Sequence, residues 1–574
     1  MIHDLLKTDK RKSYHYCYRP SEIEQEQVFG NDVINFVLCS IAPQNVLQFS
    51  LGSDIIFNML RKMDNVYVDM GVLYNKELIT KTNHAAIRAL YSQERIKDFD
   101  IIGISLYFVG SYFNIIPLLY YSKIPLLARD RKNTRPLVIA GGGAISTNPE
   151  PIAELFDVII IGDGEEPTKK IIEIINLNLN KTETLLEIKN SCKCAYIPQL
   201  KKHNEYIYYN NEKDIGKYIL SNNDFVSKPN NKVIEIMRGC YYKCNFCNLG
   251  YMRSEPKENK INDIINAIKT YPDDATIYPF APDESSFKHY DEIINQIGTR
   301  KLTRYNQRIN TYNMVERTSL NDYRIVFGID GISQRIRNIV KKQITTDQIN
   351  RALEFSYTQF DLIKLNLIIA YPFETEDDWD EFETWLDKTL ETRRKTSPNK
   401  TLSQDEALFY HKKAVKKEKF KLDGTGKDKF IMIQLAPTPF QPEPHTPMEN
   451  FGLGNIEYAT NRLLNIKNKM IKKYGMIKIY GLNSRKSMET TSILKYGGKE
   501  ILNILYNVFK SGAYNSNGLS SIYRAFYNVL NRSKTNKNNY ICKKDNNYNK
   551  PFKFIITGNE ELKEKRKKEI EMYI

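Results

Sequence analysis

Short apolar runs of strand length, each ending in a glycine-rich or polar loop, recur along the chain and restrict its fold more than any other feature. In the first third the runs are "VINFVLCS" (33–40), "VYVDM", "FDIIGISLY", "RPLVIAGGGA" and "FDVIIIGDGEEP", with helical stretches such as 53–63 between them. Strands that alternate with helices in this way indicate a parallel sheet with helices on both faces. Residues 31–180 are therefore predicted to form a doubly wound, Rossmann-like α/β domain.

Two loops of this predicted domain fall where such sheets bind ligands, beyond the carboxyl ends of the strands. Gly141, Gly142 and Gly143 follow the fourth strand, and the loop 162–166 follows the fifth. Glycines also simply make tight turns, but two such loops at neighbouring strand ends favour a ligand site. We expect the three glycines to line that site.

The strand pattern resumes after a polar connector, 181–230. The runs "KVIEIM", "ATIYPFAPDESS", "YRIVFGIDGIS", "LIKLNLIIAYPFET" and "FIMIQLAPTPFQPEPHTP" each end in a polar or proline-containing loop, with helical spacers between several of them. This pattern predicts a full or partial β/α barrel over 231–450, with its chemistry at the carboxyl-terminal mouth. The lysine-rich segment 396–429 is expected to be an insertion at the surface.

The apolar segment 101–127 could pass for a membrane span, but it is interrupted by glycines, Asn114, two prolines and Lys123. It is predicted to be a buried strand, loop and helix. With neither a span nor a signal peptide, the protein is expected to be cytoplasmic. Its eight cysteines are sparse, which favours a reducing compartment over a disulfide scaffold. The pair Cys192 and Cys194 could be metal ligands or plain thiols.

Cys240, Cys244 and Cys247 form a C-x3-C-x2-C cluster on the loop after a predicted strand. Closely spaced thiolates select zinc, copper(I) or an iron–sulfur cluster. Structural zinc requires four ligands, and the nearest histidines, His203 and His289, do not have the spacing of a zinc site. Three thiols on one loop favour an iron–sulfur cluster with one open coordination position. An incomplete zinc site and the absence of any metal remain the alternatives.

The positive charge is concentrated at the end of the chain. Residues 451–574 contain 24 Lys plus Arg against 9 Asp plus Glu, a net of +15 out of +16 for the whole chain. Aromatic residues are interleaved with the lysines in 528–554, so phosphates could be neutralised while bases stack. We predict a mainly helical, basic C-terminal region with a polyanionic partner, a nucleic acid first. A cap on the barrel whose lysines reflect genome composition is the alternative.

The cysteine loop, with Phe246 just before its last cysteine, resembles the cluster loop of radical S-adenosylmethionine (SAM) enzymes. Further motifs follow the family's order: "VIAGGGAISTNPEPIAELFDVIIIGDGEEP" upstream, then "GIDGISQRIRNIVKKQITTDQINRALE", "IIAYPFETEDDW" and "PTPFQPEPHTPMEN". They are similar to segments of those members that carry an N-terminal cobalamin-binding-type domain. The resemblance covers roughly residues 30 to 450.

The resemblance implies a site residue by residue. Cys240, Cys244 and Cys247 would hold a 4Fe-4S cluster, and the methionyl amine and carboxylate of SAM would chelate its open iron. Phe246 would shield the cluster and flank the adenine.

The remaining SAM contacts implied by the resemblance lie further along the chain. Asp283 and Glu284 are candidates for the methionine amine, and Ser333 and Asp330 for the ribose or the carboxylate. Backbone contacts to the adenine would come from Ala370, Tyr371 and Pro372. Three departures weaken the individual assignments: Asp330 replaces the family's Glu, Ile332 stands where a small residue is usual, and "AYP" replaces "GLP".

Cobalamin binding remains open. The D-x-H-x-x-G signature that supplies a histidine to cobalt is absent, and His84 has no such context. Family members with this domain often lack that histidine. A corrinoid held by the loops around 40–50, 106–111 and 141–146, and a vestigial Rossmann-like domain, are therefore both possible.

The leading functional hypothesis is a radical SAM enzyme of the transferase type. A flavodoxin- or ferredoxin-type reductant would supply the electron that cleaves SAM to a 5′-deoxyadenosyl radical, and with a corrinoid bound, methyl transfer to an unactivated carbon would follow. One alternative is a methylthiotransferase-like RNA-modifying enzyme, which would need a second cluster where only Cys17 and Cys39 are available. Another is a non-catalytic, metal-stapled nucleic-acid-binding protein, which leaves the barrel segments unexplained.

Overall fold

The structure, a computed structural model, divides the chain into two compact units, which are described separately. Unit 1 comprises Met1–Pro282, Gln441–Leu453 and Asn483–Ile574, and unit 2 comprises Asp283–Phe440 and Gly454–Leu482. The residues described are 27–41, 51–74, 79–80, 84–202, 205–216, 231–253, 255–314, 316, 324–360, 362–396, 432–474, 477–479, 484–514, 519–544 and 549–573. The predicted insertion, 396–429, lies outside them except for its first residue. The predicted domain boundaries stay predictions.

The strands, in chain order, are β1 (Ile34–Ser40), β2 (Val66–Val72), β3 (Ile101–Ser105), β4 (Leu137–Gly141), β5 (Val158–Ile160), β6 (Ala195–Tyr196), β7 (Ile207–Tyr208), β8 (Asn231–Glu235), β9 (Met237–Arg238), β10 (Lys257–Glu258), β11 (Thr276–Phe280), β12 (Lys301–Leu302), β13 (Arg304–Gln307), β14 (Arg324–Gly328), β15 (Leu362–Ile369), β16 (Met432–Pro439), β17 (Lys478–Ile479) and β18 (Ile555–Ile556).

The α-helices are α1 (Leu51–Leu60), α2 (Ile115–Tyr121), α3 (Gly143–Thr147), α4 (Glu165–Ile175), α5 (Lys181–Ser191), α6 (Leu249–Met252), α7 (Ile261–Thr270), α8 (Tyr290–Gln296), α9 (Gln334–Ile339), α10 (Thr346–Gln359), α11 (Glu376–Thr396), α12 (Ile456–Tyr474), α13 (Arg485–Tyr496), α14 (Glu500–Lys510), α15 (Leu519–Arg532), α16 (Asn538–Ile541) and α17 (Glu560–Glu571).

The N-terminal sheet of unit 1 has the strand order β2-β1-β3-β4-β5-β6. Strands β1 to β5 run parallel, and β6 pairs antiparallel with β5. Every residue of β1 and β2 is buried, as expected of strands covered on both faces. The doubly wound fold and its five predicted strands are therefore confirmed. The strand order reverses beside β1, which is where sheets of this type bind their ligands.

The C-terminal helices of unit 1 share one hydrophobic core with this sheet. The ring of Phe113 meets that of Phe526 edge-on, with centroids 5.5 Å apart. The hydroxyls of Tyr121 and Tyr514 are 2.8 Å apart in a buried hydrogen bond. Near the end of the chain, β18 pairs in parallel with β7. The C-terminal region is mainly helical as predicted, and its residues after 484 complete the N-terminal domain.

Unit 2 contains a five-stranded parallel sheet in the order β13-β14-β15-β16-β17. Its longest pairing joins β15 to β16 over eight residues, from Leu362 opposite Met432 to Ile369 opposite Pro439. Helices separate β14, β15, β16 and β17 in the chain, which is the β/α repeat expected of the barrel segments. Within the described residues the strands close no barrel, so the partial form of that prediction is the one observed.

The apolar segment 101–127 forms β3, a 3₁₀ stretch at Val109–Asn114 and α2, as predicted. Among the helices described, none is both long and apolar enough to cross a membrane.

Candidate radical SAM site

The three cysteines lie on one loop of unit 1, between β9 and β10. Cys244 is buried, whereas Cys240 and Cys247 are partly exposed. The Cys247 N–H donates to the Cys244 carbonyl at 3.1 Å, which tightens the loop between them. Phe246 is also partly exposed. The loop therefore presents two thiols and an aromatic ring outward while the third thiol is held inside.

The chemistry of the loop fits an iron–sulfur cluster. Burial raises the pKa of Cys247 to about 12, and the nearby Cys244 and Cys240 raise it further. Metal binding here would therefore release protons, because thiols bind metals as thiolates. Among the described residues, no three His, Cys, Asp or Glu side chains lie close enough together to hold one metal ion. A 4Fe-4S cluster does not require such a grouping, since its cysteines are spread over several irons.

Two arginines fix the cysteine loop to the loop that follows β5. Arg253 Nη1 donates to Asp163 Oδ2 at 2.7 Å, and its Nη2 bonds Oδ1 of the same carboxylate. Arg238 Nη1 lies 3.3 Å from Asp163 Oδ1 and donates to Glu165 Oε1 at 2.8 Å, and Arg238 Nη2 donates to Glu235 Oε2 at 2.8 Å. Burial alone would raise the pKa of Asp163, but its hydrogen bonds and ion pairs with Arg253 and Arg238 lower it. Asp163 is therefore a buried, charged anchor.

The predicted glycine loop lies at the carboxyl edge of the N-terminal sheet. Gly141 ends β4 and Gly143 begins α3. Gly142 has φ +117°, and a Cβ there would lie 2.7 Å from the carbonyl oxygen of Leu106, so packing explains this glycine. A Cβ on Gly143 would meet no atom within 4 Å, which leaves open space beside it. The edge can accept a ligand at Gly143; contact with one stays a prediction.

Two histidines of unit 1 serve packing. The ring of His84 stacks on that of Tyr121 with centroids 5.9 Å apart. His445, from the "PHTP" motif, is buried, and its Nε2 lies 2.8 Å from the carbonyl oxygen of Thr147 at the end of α3. Burial lowers the pKa of His445 to about 4, so the ring is neutral. The proline-rich motif thus packs beside the glycine loop.

In unit 2 the predicted carboxylates Asp283 and Glu284 are both buried and engaged. Glu284 accepts two backbone N–H bonds from β13 at 3.1 and 3.2 Å and one from Gln307 Nε2 at 2.6 Å. Burial outweighs these bonds and raises the pKa of Glu284 to about 8. Asp283 accepts a bond from Ser285 Oγ at 2.8 Å. Binding a methionine amine would require either carboxylate to exchange these partners, and that role stays a prediction.

Unit 2 brings two other predicted residues together at the ends of β14 and β15. The hydroxyl of Tyr371 donates to the carbonyl of Asp330 at 3.1 Å, and Lys342 Nζ donates to Asp330 Oδ2 at 2.5 Å. Ser333 instead caps α9 and donates to Asp378 at 2.5 Å. Asp330 and Tyr371 therefore share one polar edge, whereas the Ser333 hydroxyl is used within the fold.

The "AYP" turn is held from two sides. Ala370 has φ +61°, and its N–H donates to Glu374 Oε2 at 2.9 Å. Gly454 passes so close that a Cβ on it would lie 1.9 Å from the Ala370 oxygen. Pro372 is exposed in the turn that follows. Of these three residues Pro372 is therefore the exposed one, whereas Ala370 and Tyr371 are both buried.

Comparison with known proteins shows what the chain is similar to. Residues 52–198 match the family model described as "Radical SAM proteins, N-terminal". Over this part of its length the chain is similar to radical SAM proteins. The resemblance read from the five motifs is thereby confirmed, and with it the prediction of an enzyme.

The chain is 23% identical over 396 residues to "Uncharacterized protein MJ0966" of Methanocaldococcus jannaschii, and the match covers 67% of this chain and 76% of the relative. It is also 23% identical over 300 residues to "Putative methylthiotransferase MJ0865" of the same organism, covering 49% of this chain and 63% of the relative.

Solved structures similar to this chain include the cobalamin-dependent SAM radical enzyme OxsB with aqua-cobalamin and SAM bound. That match has a TM-score of 0.46 and 13% identity and covers 94% of this chain and 84% of the other. A second is the radical SAM methyltransferase TsrM from Kitasatospora setae, with a TM-score of 0.46, 11% identity and coverage of 83% and 99%.

The site residues predicted from the sequence remain predictions, and the structure adds three that the prediction missed. Asp163, Arg238 and Arg253 anchor the cysteine loop. Their signal was present in the sequence, because an arginine stands on either side of the three cysteines.

Proposed function

We propose that this radical SAM enzyme cleaves SAM reductively at a 4Fe-4S cluster held by Cys240, Cys244 and Cys247. We base this on the three-thiol loop between β9 and β10, in a chain whose residues 52–198 match the radical SAM N-terminal model. Three thiolates leave one of the four irons without a protein ligand, and SAM takes that position.

A bound cluster would supply the electron-transfer chemistry: with one electron from a flavodoxin- or ferredoxin-type reductant, the S–C5′ bond of SAM would break to give methionine and a 5′-deoxyadenosyl radical able to take a hydrogen atom from a C–H bond. The chain's own residues would hold and shield the group. Cys244 is buried in the loop, and Phe246, partly exposed beside Cys247, would shield the cluster. Contacts of Asp330 with the ribose and of the Tyr371 backbone with the adenine stay predictions.

We further propose that a corrinoid binds at the carboxyl edge of the N-terminal sheet and that the reaction is methyl transfer to an unactivated carbon. The reversal of strand order beside β1 and the open space at Gly143 support this placement.

The test is anaerobic purification followed by iron, sulfide and corrinoid analysis of one sample. We expect about four irons and as many sulfides per chain, and release of 5′-deoxyadenosine from SAM once a strong reductant is added. Replacing any one of Cys240, Cys244 or Cys247 by Ala should abolish both. The matched controls are Cys192→Ser and Cys194→Ser, which change buried thiols elsewhere in unit 1 and should alter neither. Stoichiometric zinc in the wild-type protein would overturn the proposal.

A second candidate function is methylthiotransferase-like modification of RNA, which the name of one relative, a putative methylthiotransferase, favours. It requires a further cluster outside the cysteine loop. Cys39 is buried within β1 in the core of the sheet, and burial raises the pKa of Cys194 to about 12. Loss of iron in Cys192→Ser or Cys194→Ser would favour this candidate over the first.

A further inference from the structure

Both ends of the cysteine loop converge on a single carboxylate of the N-terminal domain. Arg238 stands two residues before Cys240, and Arg253 stands six residues after Cys247. The two guanidinium groups meet at Asp163, which follows β5. The side chains of all three are at most 13% exposed, so the contact is internal to the fold.

Asp163 is itself rigidly placed. Its N–H donates to the carbonyl of Asn210 at 3.0 Å, and Asn210 Nδ2 returns a bond to the Asp163 carbonyl at 2.8 Å. The N–H of Glu212 donates to Asp163 Oδ2 at 2.8 Å. The preceding Gly162 has φ +99°, and a Cβ there would lie 2.3 Å from the Asn210 oxygen, so only glycine permits this approach. The end of β5 and the segment 210–212 therefore fix the carboxylate independently of the two arginines.

The inner part of the cysteine loop has little regular structure. β9 and β10 pair antiparallel and join the ends of the loop, and among the described residues between them the regular element is α6, of four residues. The backbone of Arg253 is also fixed, because Asn559 Nδ2 donates to the Arg253 carbonyl at 2.9 Å. Ligands of a metal cluster must be held in place by the groups around them to bind tightly.

We propose that Asp163 is a positioning residue for the cluster. The N-terminal domain, in addition to binding a corrinoid, would then form part of the cluster site. This inference rests on the proposed function. Asp163 acts through Arg238 and Arg253, which tie both ends of the loop to the N-terminal domain and thereby orient the three thiols. The bidentate contact of Arg253 matters as much as its charge, because a lysine cannot reproduce the two parallel bonds.

The test measures iron loss to a chelator from the reconstituted full-length protein, under anaerobic conditions, in four proteins: wild type, Asp163→Asn, Arg253→Lys and Asp157→Asn. Asp157 is the matched control, since it is a buried carboxylate just before β5 that pairs with Arg131 at 3.1 Å and Lys181 at 2.9 Å. Removing its charge disturbs the same strand at the end away from the cluster. Circular dichroism and the unfolding midpoint show how far each variant is destabilised.

We expect iron loss to be about tenfold faster in Asp163→Asn and in Arg253→Lys than in wild type, as for other groups that support metal ligands. The electron paramagnetic resonance spectrum of the reduced cluster should change in both. Asp157→Asn should lose iron at the wild-type rate. Equal rates of iron loss in all four proteins would overturn this inference without contradicting the proposed cluster. A wild-type protein without iron would overturn the proposed function itself. If Asp163→Asn fails to fold, the folded Arg253→Lys decides, and a wild-type rate in it overturns the inference.

Discussion

At the scale of single residues, two buried carboxyl groups of unit 2 make its stability depend on pH. Burial raises the pKa of Glu284 and of Glu374 from 4.5 to about 8. Between these values the folded state binds protons that the unfolded state has lost, so stability falls as pH rises through this window. Each group contributes a slope of at most about 1.4 kcal/mol per pH unit.

We expect Glu284→Gln to flatten this decline. Gln307 can turn its amide to receive the new N–H₂ group, because its Oε1 has no hydrogen-bond partner among the described residues. Urea unfolding of the apoprotein between pH 5 and 9 (about the range that brackets both pKa values) measures the effect. Parallel stability curves for the variant and wild type would contradict it.

A second prediction at this scale concerns the close contact between Gly454 and the backbone of Ala370. Gly454→Ala would place a methyl group 1.9 Å from the Ala370 oxygen, so either the "AYP" turn or the chain before α12 must move. We expect a loss of about 1 to 3 kcal/mol in the free energy of unfolding, together with weaker SAM binding measured by calorimetry.

The control for Gly454→Ala is Gly52→Ala in α1, where a Cβ would meet no atom within 4 Å. There the same substitution should be neutral or should stabilise by up to about 1 kcal/mol. If both variants unfold like wild type, the contact at Ala370 does not restrict residue 454.

At the scale of elements, α11 and α12 of unit 2 carry matched charges along their facing sides. Arg462 lies 2.6 Å from Asp380 and 3.1 Å from Glu376, and Lys469 lies 2.7 Å from Glu383. Part of the basic excess counted after residue 450 is therefore neutralised inside the fold. We expect Arg462→Glu to destabilise unit 2 by about 1 kcal/mol at low salt, because it faces carboxylates on the other helix.

That effect should shrink in 1 M salt, where charges separated by more than about 3 Å are screened. The matched control is Lys467→Glu, the same charge change on α12. Thermal unfolding at both salt concentrations gives the measurement. An Arg462→Glu effect that is independent of salt would mean that packing, and not charge, joins the two helices.

The same elements show what the sequence could and could not predict. Strands such as Ile101–Ser105 were predictable because a buried parallel strand is a short apolar run bounded by turn residues. The amphipathic stretch "LSSIYRAFYNVL" (519–530) indicates that one helix face is buried, but its partner, Phe113, lies some 400 residues earlier. Convergence of Arg253 on Asp163, 90 residues away, likewise depends on the tertiary fold and has no periodic signal.

At the scale of the whole molecule, the residues after 484 are needed for the N-terminal domain to fold. Tyr514 from this segment forms a buried hydrogen bond with Tyr121. The carbonyls of Lys495 and Gly497 accept bonds from Asn148 Nδ2 at 3.0 and 2.8 Å. A chain that ends at residue 450 should therefore fail to form native unit 1. Gel filtration and limited proteolysis would reveal aggregation and rapid cleavage; a monomeric, resistant fragment would contradict the prediction.

Nucleic-acid binding by the C-terminal region stays a prediction, and the structure changes how it should be tested. Tyr540, Phe552 and Phe554 are buried, so these aromatics of 528–554 cannot stack on bases. Binding would rest on exposed cations such as Lys565 and Lys568 of α17. Charge variants therefore replace truncation as the test.

We expect labelled RNA to bind with a log–log salt slope of about −0.7 per phosphate contact, and Lys565→Glu/Lys568→Glu to weaken binding and reduce that slope. The matched control, Lys469→Glu/Lys473→Glu, changes charges that already face α11 and should bind like wild type. Equal binding by all three proteins, or binding indifferent to salt, would exclude α17 as a nucleic-acid contact.

The parallel pairing of β18 with β7 has a consequence for how the chain is made. Ile555 pairs with Ile207, so the last strand of unit 1 leaves the ribosome some 350 residues after its partner. At about 5 to 20 residues per second, that interval is roughly 20 to 70 s. For an even longer interval, of about 400 residues, the rings of Phe113 and Tyr121 lack their partners Phe526 and Tyr514, while all of unit 2 is synthesised. The nascent chain thus carries an uncovered apolar surface for most of its synthesis, which is the kind of surface that holdase chaperones bind.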